Sequence, residues 1–364
     1  TNIRNMSNIT NYWRSKMHTT SSFYIHIPFC HERCHFCKFA MIHRYTDLAK
    51  KQYIAALIAE IQASEESKNK ASTIYFGGGT PSVLTEEEIN IILDCFKRDE
   101  NTEISFECNP EDISESYLLS LKELGINRLS IGIQSLRDDI LQKIGRTRTN
   151  KENICRGLEL VKKYFPNFSI DLIIGLPLMQ PWDVVHDAEL LTQTFNLPHI
   201  SIYMLESGVY PKSWEAISPD AQTISDEYVH VSEILESLGY EHYEVSNWAK
   251  PWYECRHNQN YWTHNGYRGY GLSAASLIDN NRILNSSSFR GYYRHEQERE
   301  NLSEENIVHE KIIFGFRTFS LDENLCNGEH ITELCERWFL ERNNGKISPT
   351  LSWILQENHI LWLL

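Results

Sequence analysis

Between residues 23 and 204 short apolar segments of strand character alternate with segments of helical period, six times over. "FYIHI" (23–27), "TIYF" (73–76), "EISFE" (103–107), "RLSIGI" (128–133), "SIDLIIG" (169–175) and "HISIYML" (199–205) read as strands. Helical periodicity fills 53–62, 85–96, 114–125, 137–144, 150–164 and 182–195. Thr85 with Glu88 makes a capping box, and Gly125 stops its helix. Strands separated by helices pair in parallel through right-handed crossovers. Six units do not close an eightfold barrel, so the expected fold is α/β: an open, partial (β/α)6 barrel. Its functional groups should sit at the carboxyl ends of the strands.

After Gly208 the pattern changes. A helix is expected over about 221–238. An aromatic-rich stretch follows at 240–276, dense in Tyr, Trp, His and Gly, which reads as strands, turns and a binding loop. From about residue 303 the chain is helical again and ends in the apolar "HILWLL". The expected division is a leader at 1–22, a core at 23–205, a barrel extension with a ligand-binding segment at 206–300, and a small, mainly helical C-terminal domain at 301–364. The leader carries Arg and Lys but no Asp or Glu. It lacks an amphipathic stripe and is expected to be disordered rather than a transit peptide.

The net charge of −14 argues against a nucleic-acid binder, which needs a large basic face. No apolar run reaches the length of a membrane span. Membrane association, if any, is expected to be peripheral and through a partner. Six of the nine cysteines are scattered, which suggests free thiols in a reducing compartment and a cytoplasmic location.

The other three, Cys30, Cys34 and Cys37, follow the first strand with spacing Cys-x3-Cys-x2-Cys. Three thiolates can hold three irons of a four-iron cluster and leave the fourth open. A zinc site completed by His26, His31 or His35 is the alternative reading. Other chemistry-bearing groups fall within or just after successive strands. They are the glycine run of "YFGGGTPS" (75–82), Glu107, Gln134 and Asp171, with Arg146 after the next helix. A charge inside the apolar strand at 169–175 is costly unless it is paired, which makes Asp171 informative.

These motifs resemble the radical S-adenosylmethionine (SAM) enzymes, whose hallmark is this cysteine spacing. The resemblance implies a [4Fe-4S] cluster on Cys30, Cys34 and Cys37, whose open iron chelates SAM and whose electron cleaves it to a 5′-deoxyadenosyl radical. It implies SAM contacts from Tyr24, Gly78, Gly79, Thr80, Glu107, Gln134, Arg146 and Asp171. From residue 23 to about 290 the likeness is to the coproporphyrinogen oxidase-like branch, on "YIHIPFC", "NRLSIGIQS", "DLIIGLP", "ECRHNQNYW" and "YRGYGLSAAS". That branch holds oxygen-independent coproporphyrinogen III oxidases (HemN) and haem chaperones (HemW). The oxidases carry a fourth cysteine two places past the third; here that place is Phe39. They also have a long N-terminal arm and lack "HNxxYW", present here at 257–262. The resemblance is therefore closer to the HemW chaperones and implies a protein that binds haem and delivers it to apoproteins. An enzyme acting on a porphyrin or porphyrinogen is the alternative. Imidazole is a common haem ligand, so His257 is the candidate for the iron, with Cys255 as a second choice; the alternative reading is that His257 only satisfies a buried loop and the aromatics are core. Tyr261 and Trp262 are placed to flank a porphyrin.

Overall fold

The computed structural model describes residues 20–205 and 210–322, and beyond them residues 325, 332, 335–336, 340–343 and 346–350. Most of the expected leader and the apolar C-terminal end lie outside the described residues. The six expected strands are present: β1 (Ser22–Ile27), β2 (Thr73–Gly78), β3 (Glu103–Cys108), β4 (Arg128–Gln134), β5 (Phe168–Ile174) and β6 (His199–Met204). They are parallel and lie side by side in chain order. Helices α1 (Asp47–Ala63), α2 (Glu86–Leu93), α3 (Glu115–Glu123), α4 (Asp138–Lys143), α5 (Lys151–Tyr164) and α6 (Asp183–Phe195) form the connections. The capping box at Thr85 closes in both directions, with Glu88 N donating to Thr85 Oγ1 at 3.2 Å and Thr85 N to Glu88 Oε2 at 2.9 Å.

The sheet continues past both ends of the six. After α7 (Ala221–Ser237), β7 (Glu241–Glu244) and β8 (Asn247–Ala249) add antiparallel strands beyond β6. A helix α8 (Arg256–Trp262) follows. Then β9 (Tyr267–Tyr270) pairs parallel to β1, and β10 (Ala275–Ile278), β11 (Asn281–Asn285) and β12 (Gln297–Asn301) continue antiparallel. The result is one twelve-stranded sheet, β12-β11-β10-β9-β1-β2-β3-β4-β5-β6-β8-β7, which does not close on itself. A short helix α9 (Phe289–Tyr292) lies before β12. Helix α10 (Glu304–Arg317) opens the C-terminal part, where β13 (Leu321–Asp322), β14 (Leu340–Asn343) and β15 (Lys346–Pro349) make a small antiparallel sheet that the sequence pattern did not announce.

Period-2 alternation decides what each face of the parallel sheet does. Phe23, Ile25, Ile27, Ile74, Phe76, Phe106, Leu129, Ile131, Ile170, Leu172 and Ile200 are fully buried and pack into the core with helix residues such as Leu57, Ile61, Ile92 and Leu158. Each such side chain contributes about 1.5–3 kcal/mol by leaving water. The opposite face carries Tyr24, His26, Tyr75, Ser105, Glu107, Arg128, Ser130, Ser169, Asp171, His199 and Ser201. Register sets these side by side: Tyr24 opposite Tyr75, Ser105 opposite Arg128, Glu107 opposite Ser130, and Asp171 opposite Ser201. The lumen is therefore lined by paired polar groups, such as Ser169 Oγ to His199 Nδ1 at 2.7 Å.

Helix α8 plugs the amino-terminal end of this lumen. The stretch at 240–276 reads as strands and loops from sequence, and the helix inside it is the exception. Its N-cap, Cys255, makes no side-chain cap bond. The cap comes from Glu103, distant in sequence, whose carboxylate accepts from Arg256 N at 3.1 Å and His257 N at 3.0 Å. A seven-residue helix capped from another strand leaves no local signature. Glu103 is buried, as is Arg128 beside it. Burial works against the Arg128 charge, and Cys255 and Glu103 outweigh it, so its pKa is raised.

Glu103→Ala leaves two helix amides and a buried guanidinium short of an anion. Its expected cost is about 3–5 kcal/mol in urea unfolding of the full chain. A loss under about 1 kcal/mol would show that α8 is held by packing alone.

Candidate functional site

The loop after β1 is pinched at its base. Ile42 N donates to Pro28 O at 2.7 Å and Cys30 N to Ile42 O at 3.0 Å. At its tip, His35 N reaches Ile144 O at 2.9 Å at the end of α4, and Cys37 N turns back on Cys34 O at 3.2 Å. Within this loop Cys30 is buried and Cys34 and Cys37 are half-buried, all as free thiols. Burial pushes the Cys30 thiol up to about 12, against a hydrogen bond from Thr80 Oγ1 at 3.3 Å and with Cys34 and Cys37 adding to the rise. Burial also raises Cys37. Three thiols held this close in a poorly solvated loop need an electropositive group to become thiolates. Arg146 is the protein's contribution: it is buried and hydrogen-bonds Cys34, and Cys34, Glu111 and Cys30 raise its pKa against the effect of burial.

Three cysteine thiols are the donor type that an iron–sulfur cluster takes. Among the described residues no group of three His, Cys, Asp or Glu is arranged to hold one metal ion. The three nearby histidines are engaged elsewhere. His26 Nε2–H donates to Ala40 O at 2.8 Å, His31 lies 3.7 Å from Asp112, and His35 Nδ1 lies 3.3 Å from Lys143 O.

The glycine run ends β2 against this loop. A Cβ on Gly79 would stand 2.7 Å from Phe29 O, 2.9 Å from Ile27 O and 3.0 Å from Cys30 Sγ. Gly78 has φ +112°, and a Cβ there would stand 2.6 Å from the His26 ring. Only glycine permits this approach of backbone to the cysteine loop. Thr80 is held by Asn109, whose Nδ2 donates to its Oγ1 at 3.3 Å.

Deeper in the lumen sit two half-buried carboxyls. Burial, reinforced by Asp171, raises Glu107 to about 7, against a hydrogen bond from Tyr75 OH at 2.9 Å and one from the Gly78 amide. Burial raises Asp171 to about 6, against hydrogen bonds from Ser201 and Ser130 and the charges of Arg128 and Arg146. The partners that Asp171 requires are thus two hydroxyls on the neighbouring strands and, farther off, cations. Gln134 follows a β-bulge in β4 and has φ +70°, which turns it out of the strand. Arg146 donates to Gly132 O and to Asn109 Oδ1. Tyr24 OH donates to His26 Nδ1 at 3.1 Å, because the other ring nitrogen carries the proton given to Ala40.

Tyr24, Glu107, Gln134, Arg146, Asp171 and the glycine run therefore converge with the cysteine loop at the carboxyl end of the barrel. Sequence reasoning missed Asn109, which links Thr80 to Arg146, and Ser130 and Ser201, which hold Asp171. Asn109 was visible as the next polar residue but one after Glu107. The two serines are recognisable only from cross-strand register.

His257 is in a different place from that expected of an open ligand. It lies on α8 at the amino-terminal end, buried, with Nδ1 2.7 Å from Thr73 Oγ1 and Nε2 2.7 Å from Tyr261 OH. Its ring stacks on Tyr75 at 5.1 Å, and burial lowers its pKa to about 3. As placed, it is a neutral hydrogen-bond hub with no free nitrogen. Cys255 is also closed off: burial pushes it up to about 12, and its Sγ lies 3.8 Å from Glu103 Oε1. Trp262 donates to Glu244 and packs edge-on to Phe314 of α10.

Comparison with known proteins agrees with this geometry. Residues 24–191 match the model of the radical SAM superfamily. A protein of Lactococcus lactis named "Heme chaperone HemW" is 32% identical over 91% of this chain and 93% of its own length. Proteins of the same name from Synechocystis and Bacillus subtilis are 34% and 33% identical, each over 74% of this chain and over 69% and 74% of their own lengths. The solved structure of coproporphyrinogen III oxidase (HemN) from Escherichia coli superposes with a TM-score of 0.81 at 21% identity, over 97% of this chain and 92% of that one, and shows the same fold.

Two predictions follow from the geometry. Gly79→Ala drives a methyl into two carbonyls and Cys30, and is expected to abolish retention of iron and sulfide after anaerobic reconstitution. Full iron retention would show that the loop can shift to accept it. The second concerns Glu107 and Asp171, whose folded values lie above their unfolded ones near 4. The folded state therefore holds the extra protons, and their contribution to stability, present at low pH, is lost as pH rises through about 6 and 7. In ligand-free protein Glu107→Gln and Asp171→Asn should each gain on the order of 1–3 kcal/mol over the native chain at pH 8, with the gap closing near pH 4. A gap independent of pH would refute it.

Proposed function

We propose a function from a single premise: the chain belongs to the radical SAM superfamily and, within it, to the HemW family. On that premise it is a haem carrier that holds a [4Fe-4S] cluster with SAM and passes haem to apoproteins. Cys30, Cys34 and Cys37 ligate three irons, and the amino and carboxylate groups of SAM take the fourth. Bound there, the cluster supplies the electron that can cleave the cofactor. Gly78, Gly79 and Thr80 present backbone to the methionine end of SAM. Tyr24, Glu107, Gln134, Arg146 and Asp171 line the remainder of its path, and the two carboxyls with raised pKa are matched to a cationic sulfonium or to ribose hydroxyls. Arg146 compensates the thiolates.

The observation that carries the carrier reading is the relationship to a protein named as a haem chaperone along nine-tenths of the chain, joined to Phe39 at the place where the oxidases have a fourth cysteine. Phe39 is 68% exposed beside the cysteine loop, so this place supplies an apolar surface instead of a ligand.

The test uses full-length protein purified without oxygen. About four irons per chain are expected, falling to near zero when Cys30, Cys34 and Cys37 are all replaced by Ala. Loaded with hemin, it should pass haem to an apo-haemoprotein, seen as the acceptor's absorbance. Conversion of coproporphyrinogen to protoporphyrinogen with reductant and SAM would instead establish the enzyme reading.

A further inference from the structure

Beside the cofactor groups, between β1 and the β9–β10 hairpin, an open cavity of about 330 Å3 enters the sheet. Tyr24, His26, Tyr261, Tyr267 and Ser273 line it, together with Lys38 and Phe39, which are exposed and so lie at its mouth. Tyr24 is shared with the cofactor site. Tyr261 meets Tyr267 edge-on with ring centroids 4.5 Å apart, which fixes both rings. His257 stands behind Tyr261, out of the cavity, and Thr73 holds it in turn. Aromatic walls, one phenol fixed from behind and a cation at the mouth suit a flat aromatic ligand that carries carboxylates and a hard metal ion. The cavity is open on one side, so a macrocycle larger than its volume can lie partly across the exposed ring of Phe39.

We propose that this cavity takes the ferric porphyrin, with Tyr261 as the iron ligand, His257 as the residue that positions it, and Lys38 paired to a propionate. The proposal rests on the haem-carrier reading and deepens it. Phenolate is an established axial ligand for haem iron. The exchange is balanced without a redox change. An iron-bound hydroxide takes the Tyr261 phenol proton and leaves as water, the phenolate oxygen forms the new bond, and iron stays ferric. His257 does not touch the metal. Its hydrogen bond to the phenol, braced by Thr73, fixes where the oxygen points.

Hemin is titrated into the full-length, reconstituted protein and into three variants, read by absorbance and electron paramagnetic resonance. The native chain should show a high-spin ferric signal and a phenolate-to-iron charge-transfer band. Tyr261→Phe keeps the ring but should lose that band and bind at least about 10–100-fold more weakly, since a direct ligand matters no less than an outer-shell partner. Lys38→Glu, on the surface, should weaken binding roughly two- to fivefold, and less so at high salt. Trp252→Ala, an exposed residue outside the cavity lining, should change nothing. If Tyr261→Phe keeps the native spectrum and affinity, the ligand assignment is wrong while the carrier reading stands. If Tyr261→Phe melts with the native chain and loses the band but Lys38→Glu binds as tightly as the native chain, the propionate pairing is wrong. If the native chain takes up no hemin at all, the carrier reading itself falls.

Discussion

The register of the six parallel strands is the constraint on which everything else depends. A half-open barrel must keep one face dry against its helices and leave the other lining a lumen. Here the lumen face is almost wholly polar, so each group needs a partner on the adjacent strand. Glu107 is opposite Ser130 and Asp171 opposite Ser201. A slip of one residue on any of these strands would turn apolar side chains into the lumen and polar ones into the core, and on β3 and β5 it would bury a carboxylate. The same register that buries the apolar face therefore also builds the cofactor wall, and stability and function are not separable along these strands.

The two ends of the barrel use their polar groups in opposite ways. At the amino-terminal end Glu103 is consumed by the plug helix, and its neighbours Cys255 and His257 are closed. At the carboxyl end Glu107 and Asp171 accept from hydroxyls and a backbone amide, with cations farther off, and burial raises both pKa values. A closed network rigidifies, whereas a half-buried pair of acids with raised pKa values is held at a cost to the empty fold. That cost is the mark of a place built for something else to occupy. The glycines make the same point sterically, since Gly78 and Gly79 bring backbone where a side chain would collide with His26 or Cys30.

How much of this was legible beforehand depends on whether its cause is local. The strands, the helices between them and the Thr85 cap follow from periodicity and neighbours a few residues away, and all appear where expected. The cysteine loop and the acidic positions were legible because each follows or sits within a strand. Helix α8 was not, because its cap comes from residue 103 and its packing from Thr73 and Tyr75. The partners of His257 were hidden for the same reason. A histidine followed by Tyr and Trp looks like an open ligand until the fold shows that Thr73 and Tyr261 take both of its nitrogens. Asn109, Ser130 and Ser201 act only through register, which a single sequence does not display.

The two readings of "HNQNYW" are reconciled by where the helix turns its residues. Positions 257 and 261 are one helical turn apart and so share a face. The plug sets His257 toward the floor of the lumen and Tyr261 toward the cavity wall. The phenol therefore stands between a sealed histidine and an open, aromatic space that also borders Tyr24. One short motif thus serves both the closure of the barrel and the surface a ligand meets. Phe39 completes that surface from the cysteine loop. The residue two places beyond the cluster ligand and the motif over two hundred residues later face the same cavity, which links the cofactor to whatever the cavity holds.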